Sequence, residues 1–312
     1  MTSFAFVFPG QGSQAVGMLD AWGDHPAVRA TLEEASTALG EDIAQLIAAG
    51  PKDQLDLTTN TQPVMLTAAI AAWRAWLAEG GAQPVAVAGH SLGEYSALVA
   101  AGALTLADAL PLVRLRAQAM QQAVPVGQGA MAAILGLDAA AVIDGCAQAA
   151  AATGEVVSAA NFNDPKQTVI SGSQAGVAKA CEVLKAAGAK RALPLAVSAP
   201  FHCALMQPAA DALRTRLVDV ALHSPRIPVV NNIDVAAPTA PDAIRDALYR
   251  QASGPVRWVE VVQALKAHGA THIVECGPGK VLAGMVKRID ADLVSGAIFD
   301  PASLAETRVV LA

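Results

Sequence analysis

The 312-residue sequence predicts an α/β protein. It should hold a mostly parallel sheet covered by helices on both faces, with a smaller βαββαβ unit inserted into the chain. Three observations carry that prediction. Two short runs, Phe4-Ala5-Phe6-Val7-Phe8 and "PVAVAG" at 84–89, are apolar at nearly every position, as strands buried on both faces are. Helix-period segments of ten or more residues alternate with such runs. Between about Gly127 and Val197 this rhythm gives way to strand, helix, two strands, helix, strand.

The elements follow in order. After the first strand, Pro9 and a glycine-rich loop lead to helical material from about Ala27 to Ala49. "TQPVMLTAAIAAWRAWLAEGG" places Met65, Ala69, Trp73 and Trp76 at helical spacing, with Gly80-Gly81 as the stop. The second strand turns sharply into "SLGEYSALVAAG", a helix, and "TLADALPLVRLRAQAMQQA" is another, with Thr105 as N-cap and Asp108 in its first turn. In the inserted unit "AMAAILGL" reads as a strand, and Asp138 opens a helix over "DAAAVIDGCAQAAAATG". "EVVSAAN" and "QTVISGS" are strands joined by "FNDPK"; "QAGVAKACEVLKAAG" is a helix ended by Gly188, and "AKRALPLAV" closes as a strand. A large domain over 1–126 and 198–312, carrying a small subdomain over 127–197, is the expected organisation.

Bulk composition narrows the function. Hydrophobic residues at 54% with aromatics at 4% make a core of Ala, Val and Leu. A formal charge of −6 argues against a general nucleic-acid binder. Four scattered cysteines (Cys146, Cys181, Cys203, Cys276) without a C-x-x-C pair suit reduced thiols and a cytoplasmic location. No basic stretch precedes the five-residue N-terminal apolar run, and no apolar run reaches the roughly 20 residues that span a bilayer. Neither a signal peptide nor a membrane partner is expected.

One motif carries chemistry. Strand, Gly89-His90-Ser91-Leu92-Gly93, then helix is the arrangement of a nucleophile elbow, which presents a serine hydroxyl above the sheet beside the free N–H groups of a helix start. The ordinary reading is a plain strand-to-helix turn, but the buried strand before and the helix after favour Ser91 as a nucleophile. Such a serine needs a base. His90 adjoins Ser91 and should face elsewhere, while His25 and His223 lie in polar connections. His202, delivered by the Pro-containing loop "VSAPFHCALMQPAA", is slightly favoured by spacing over His268 and His272. "HGATH" makes no metal pair, because Gly269 spoils the helical spacing and no H-E-x-x-H is present. Two nucleotide-binding readings fail. "GPGK" at 277–280 has Val274 and Val281 where a P-loop needs Gly and Ser/Thr, and the opening G-x-G-x-x-A lacks a second strand and ribose-binding acid.

With "FVFPGQGSQAVGM", "AGHSLGEYSALVAAG", "GAMAAILGL", "APFHCALMQPA" and "ECGPGKVLAGMVKRI" in view, the chain resembles the malonyl-CoA:acyl carrier protein transacylase family of bacterial type II fatty acid synthesis, from Met1 to about residue 300. The resemblance implies an α/β-hydrolase-like large domain with a ferredoxin-like small one. It makes Ser91 the residue that accepts the malonyl group and His202 its base, with Gln251 supplying a backbone carbonyl that orients the histidine. It places Arg116 on the malonyl carboxylate; Arg114, two residues away, would otherwise be indistinguishable from it. The amides of Gln11 and Leu92 would form the oxyanion hole. Phe201 stands where some transacylases carry serine; in related polyketide synthase domains Phe there accompanies malonyl selection and Ser methylmalonyl selection.

The resemblance further implies a ping-pong transfer from malonyl-CoA to the phosphopantetheine thiol of acyl carrier protein, with no cofactor or metal of the enzyme's own and a monomeric chain. A serine esterase or thioesterase using His268 or His272 with Asp242 or Asp246, and an acyltransferase serving a polyketide synthase, are the alternatives; a non-catalytic docking module is a third. Because carrier proteins are acidic, a local basic patch near the cleft is expected from Lys185, Lys190, Arg191, Lys280, Lys287 and Arg288.

Overall fold

In the computed structural model, which describes residues 2–312, the chain forms nine strands and thirteen α-helices among the described residues. The first half runs β1 (Phe4–Phe8), α1 (Pro26–Leu39), α2 (Ile43–Ala49), α3 (Lys52–Leu55), α4 (Thr58–Ala78), β2 (Ala86–Gly89), α5 (Gly93–Ala100) and α6 (Leu106–Ala123). There follow β3 (Gly129–Leu135), α7 (Ala139–Thr153), β4 (Val157–Asp164), β5 (Gln167–Ser173), α8 (Gln174–Ala186) and β6 (Arg191–Pro194). The chain closes with α9 (Gln207–Leu217), β7 (Val229–Val230), α10 (Pro241–Ser253), α11 (Trp258–Ala267), β8 (His272–Cys276), α12 (Ala283–Ile289), β9 (Val294–Ile298) and α13 (Pro301–Leu311).

The large sheet is all parallel, in the order β7-β2-β1-β8-β9. At its centre β1 is buried on both faces, and the two-residue period sorts its side chains by size. Phe4 and Phe6 meet Trp73 and Trp76 of α4 edge-on at 5.4–6.0 Å. The smaller Ala5 and Val7 face the opposite layer, in a cluster with Trp258, Val261 and Val262 of α11. The α/β class expected from the sequence is thus realised. Two strands were not legible in it: β7 is two residues long, and β9 carries only a weak pattern, exposed to half-buried at four of its five positions. The expected helical stretch from 27 to 49 is two helices, broken where Gly40 takes a left-handed conformation and ends α1.

The second sheet is antiparallel, in the order β4-β5-β3-β6, which is the ferredoxin-like arrangement of a βαββαβ unit. Alternation along β3 divides its faces. Ala132 and Ile134 pack under α7 and α8 with Val142, Ile170 and Leu184, whereas Met131 and Ala133 point the other way with Val169 and Ala160. Asp138 and Thr105 cap their helices as expected, accepting from the amides of Ala141 and Asp108.

The two sheets are joined along one edge. Phe162 donates its amide to Val256 O at 2.9 Å, and Val256 donates back to Ala160 O at 2.8 Å. Residue 256, just ahead of α11, thereby extends the small sheet beyond β4. An Arg288–Asp164 ion pair at 2.8 Å and a His90–Asn163 hydrogen bond at 2.9 Å reinforce the same seam. At the opposite edge β6 is largely exposed and its continuation, 195–198, overhangs a cleft.

Candidate active site

The cleft lies between the C-terminal end of β2 and the cleft-facing side of the small sheet, with a volume of about 560 Å³. Its floor is the turn from β2 into α5. A Cβ at Gly89 would lie 1.8 Å from the Gly93 carbonyl carbon, and one at Gly93 would lie 2.1 Å from Phe8 O. Only glycines allow strand and helix to approach this closely. Between them Ser91 is forced to φ +54°, in the left-handed region. His202 has φ +61°, and Val235 is the one other described non-glycine residue at positive φ. Two of three such conformations thus fall on the residues singled out for chemistry, a pattern of strain held by surrounding structure.

Ser91 Oγ lies 2.6 Å from His202 Nε2. On the far side of the ring, Nδ1 lies 3.1 Å from both Gln251 O and Gly254 O. Carbonyl oxygens only accept, so the proton sits on Nδ1 and the Nε2 lone pair faces the serine hydroxyl. His268 and His272 stand elsewhere: His268 caps the end of α11, and His272 opens β8 with its Nδ1 beside the Thr271 hydroxyl.

Arg116 is buried, 2% exposed, on the inward face of α6. Its Nη1 donates to Gln62 Oε1 at 2.8 Å, and its Nη2 to Gln251 Oε1 at 3.1 Å and Ser91 Oγ at 3.3 Å. The Tyr95 ring lies 5.5 Å from the guanidinium carbon, and Nε–H has no partner. No carboxylate touches this cation. Arg114 faces outward, to Asn60 and Glu41, because two residues advance a helix by about 200°.

The Gln11 loop closes over the elbow: a Cβ at Gly10 would lie 2.7 Å from His90 O. The amides of Gln11 and Leu92 have no protein acceptor among the described residues, whereas Gly93 N and Glu94 N are taken by His90 O and Ser91 O. Phe201, half-buried, lines the cleft beside Met131 and Val169. None of the six basic residues expected as a patch lines the cleft; Arg288 is held by Asp164, and Lys280 lies 4.6 Å over the Phe299 ring.

Sequence reasoning missed the residues that hold the elbow. Asn232 Oδ1 accepts from Ser91 N at 2.7 Å, and its Nδ2 donates to Gly89 O at 2.7 Å, clamping both sides of the turn. Glu94 Oε2 in turn accepts from Asn232 N at 2.8 Å and from Gln251 Nε2 at 3.2 Å, and that same Nε2 lies 2.9 Å from Ser91 O. Glu94 stood in the quoted helix and Asn232 in "VVNNI"; only a contact across 138–143 residues of chain reveals either.

Burial sets the electrostatics. Desolvation, then the charge of Arg116, then His90, pushes His202 down to about 3, so it is neutral near pH 7. Desolvation pushes Glu94 up to about 7, against the opposing pull of the Asn232 amide, Gln251 and Arg116. His90, hydrogen-bonded to Asn163 and lying 5.3 Å from Trp258, is likewise depressed by burial.

Comparison with known proteins converges on one family. A model of the acyl transferase domain matches residues 5–293. The malonyl CoA-acyl carrier protein transacylase of Escherichia coli K12 is 53% identical over 306 residues, covering 98% of each chain; that of Bacillus subtilis is 44% identical over 305 residues, covering 97% of this chain and 96% of the relative. Among solved structures, an acyl-carrier-protein S-malonyltransferase from Burkholderia pseudomallei superposes with TM-score 0.97 at 65% identity, over 99% of this chain and 100% of that one. A malonyl-transacylase solved in complex with a type II polyketide acyl-carrier protein superposes at 0.96 with 48% identity, over 99% and 100%.

Proposed function

This chain belongs to the malonyl-CoA:acyl carrier protein transacylase family, and on that premise we propose that Ser91 carries the malonyl group between coenzyme A and the carrier protein. The enzyme is an acyltransferase that moves malonyl from malonyl-CoA to acyl carrier protein. The observation that carries the assignment of residues is a serine hydroxyl 2.6 Å from an imidazole whose other nitrogen faces two carbonyls, beside a buried arginine that no carboxylate touches.

His202 Nε2 takes the Ser91 proton as Oγ attacks the thioester carbonyl. The oxyanion that forms is met by the amides of Gln11 and Leu92. The tetrahedral intermediate collapses, the C–S bond breaks, and the imidazolium returns its proton to the departing coenzyme A thiolate. The phosphopantetheine thiol of the carrier then repeats these steps in reverse, leaving Ser91 free. Gln251 and Gly254 hold the imidazole by their carbonyls, in the place a triad carboxylate would take.

Arg116 selects the acyl group. A malonyl carboxylate would supply the anionic partner that the guanidinium lacks, through two parallel hydrogen bonds. The same pairing strengthens the base, since the uncompensated Arg116 charge is part of what depresses His202. Acetyl brings no such charge. No cofactor or metal has a step in this mechanism, and one chain supplies every residue of the site, so a monomer suffices. Phe201, on the opposite wall, restricts room for an α-substituent.

Intact-mass measurement after mixing with malonyl-CoA tests the reading. The wild type should gain one malonyl adduct that transfers to holo carrier protein, and Ser91→Ala should gain none. Free malonate released as fast as malonyl-carrier forms would instead make the protein a thioesterase.

A further inference from the structure

Helix α4 carries an unexplained polar pair. Thr58 and Gln62 lie one turn apart, are 1% and 0% exposed, and sit in a helix whose other buried side chains are mostly apolar. Two other threonines of α4 satisfy their hydroxyls locally, Thr61 on Leu57 O and Leu55 O, Thr67 on Pro63 O. Thr58 does not. Its hydroxyl donates to Gln11 Oε1 at 2.9 Å, 47 residues away, and accepts from Gln62 Nε2 at 3.3 Å. Gln62 Oε1 accepts from Arg116 Nη1 at 2.8 Å.

These bonds run head to tail, from Arg116 through Gln62 and Thr58 to Gln11, with every donor pointing away from the guanidinium. Each link fixes the position of the next, so a shift of the guanidinium as it closes on a carboxylate is passed along the chain to Gln11. Its far end is an exposed residue in a loop without regular structure, where the Gln11 side chain is anchored by this contact. The second anchor of the loop, from Gly12 N to Gln14 Oε1 and from Gln14 Nε2 to Asp56, is exposed at the mouth of the cleft and makes no link to Arg116.

We propose that Gln62 and Thr58 are positioning residues that couple the grip of Arg116 on a substrate carboxylate to the placement of the Gln11 amide. The proposal deepens the functional reading above and rests on it, specifically on Arg116 as the carboxylate partner and Gln11 as an oxyanion donor. In consequence, discrimination between malonyl and acetyl is expressed in the rate of acyl transfer to Ser91 as well as in binding.

Single-turnover acylation of Ser91, followed by rapid quench and intact mass, tests it in the full chain with malonyl-CoA and acetyl-CoA. Removing an oxyanion donor costs about 10²–10³ in rate, so misplacing one through Thr58→Val should slow malonyl transfer roughly 10- to 100-fold, with the half-saturating malonyl-CoA concentration within about twofold of wild type. Acetyl has no carboxylate to move Arg116 and so gains nothing from the relay, and its transfer should fall less than about threefold. Thr58→Ser, which keeps the hydroxyl, should recover most of the rate, and Gln62→Met, breaking the neighbouring link, should show the same rate-specific loss. In an Arg116→Ala background, Thr58→Val should add less than about threefold.

Equal losses for the two acyl groups, full additivity with Arg116→Ala, a Thr58→Ser variant as slow as Thr58→Val, or an unimpaired Thr58→Val would each overturn the coupling. If Ser91 takes up malonyl and Arg116→Ala loses malonyl preference, any such result falls on the relay alone. If Ser91 is never acylated, or Arg116→Ala keeps its preference, the functional reading fails and the relay fails with it.

Discussion

The two walls of the cleft are built on opposite principles. On the large-sheet side, Ser91, Arg116, Glu94, Asn232 and Gln251 form one polar network, most of its members buried and each fixed by partners from other segments. On the small-sheet side, Met131, Val169, Leu195, Val197 and Phe201 present apolar surface, and Leu195 and Val197 are exposed at the rim. A buried polar group must keep every partner, because an unsatisfied one costs about 1–3 kcal/mol. An apolar wall changes its shape at far smaller cost. The residues proposed for chemistry thus lie on the wall that tolerates little change, and Phe201, proposed to limit acyl size, on the wall that tolerates more.

Arg116→Ala should break this division most visibly. A charge-assisted contact of about 1.5–3 kcal/mol predicts a roughly 10- to 100-fold loss in malonyl transfer, with acetyl transfer unchanged or raised; equal losses measured for both acyl-CoAs would mean that the polar wall does not select by charge. A smaller effect is expected across the cleft. Phe201→Ser should raise methylmalonyl transfer relative to malonyl by about tenfold, read from competing substrates in one assay, while the malonyl rate itself moves little. If the malonyl rate instead collapsed, the apolar wall would be part of the catalytic machinery.

The smallest effect is on stability. Glu94 holds its proton more tightly in the folded protein, at about 7, than in the unfolded chain, near 4.5. Its ionisation therefore destabilises the fold progressively as pH rises through that window, and no such penalty remains below it. Glu94→Gln should flatten the decline in Tm between pH 5 and pH 7.5, because both of its partners donate to one oxygen that glutamine retains. An unchanged slope would mean the carboxylate is already neutral, or compensated by Arg116, across the range.

Which wall was legible in the sequence follows from how each is made. The elbow could be read because close strand–helix approach demands glycines at fixed offsets from Ser91. The two faces of β3 follow from simple alternation. Arg116 and Arg114 could not be separated without the family resemblance, since two arginines in one helix segment look alike until its inward face is known. Asn232 and Glu94 gave no signal at all. Their residue types are ordinary in turns and helix starts, and their importance lies in contacts across some 140 residues of chain. His202 was only slightly preferred by spacing over His268 and His272, because its choice rests on a loop conformation at positive φ that no periodicity encodes.

The seam at Val256 also bears on modularity. A ferredoxin-like unit looks like a cassette that could be lifted out and grafted elsewhere. Here the margin of β4 is covered by a segment belonging to the other half of the molecule, through two main-chain hydrogen bonds. Excised, the unit would expose that row of peptide groups as a template for self-association. Transplanting the apolar wall into another scaffold therefore requires carrying the residue 256 segment along, or designing a substitute for it.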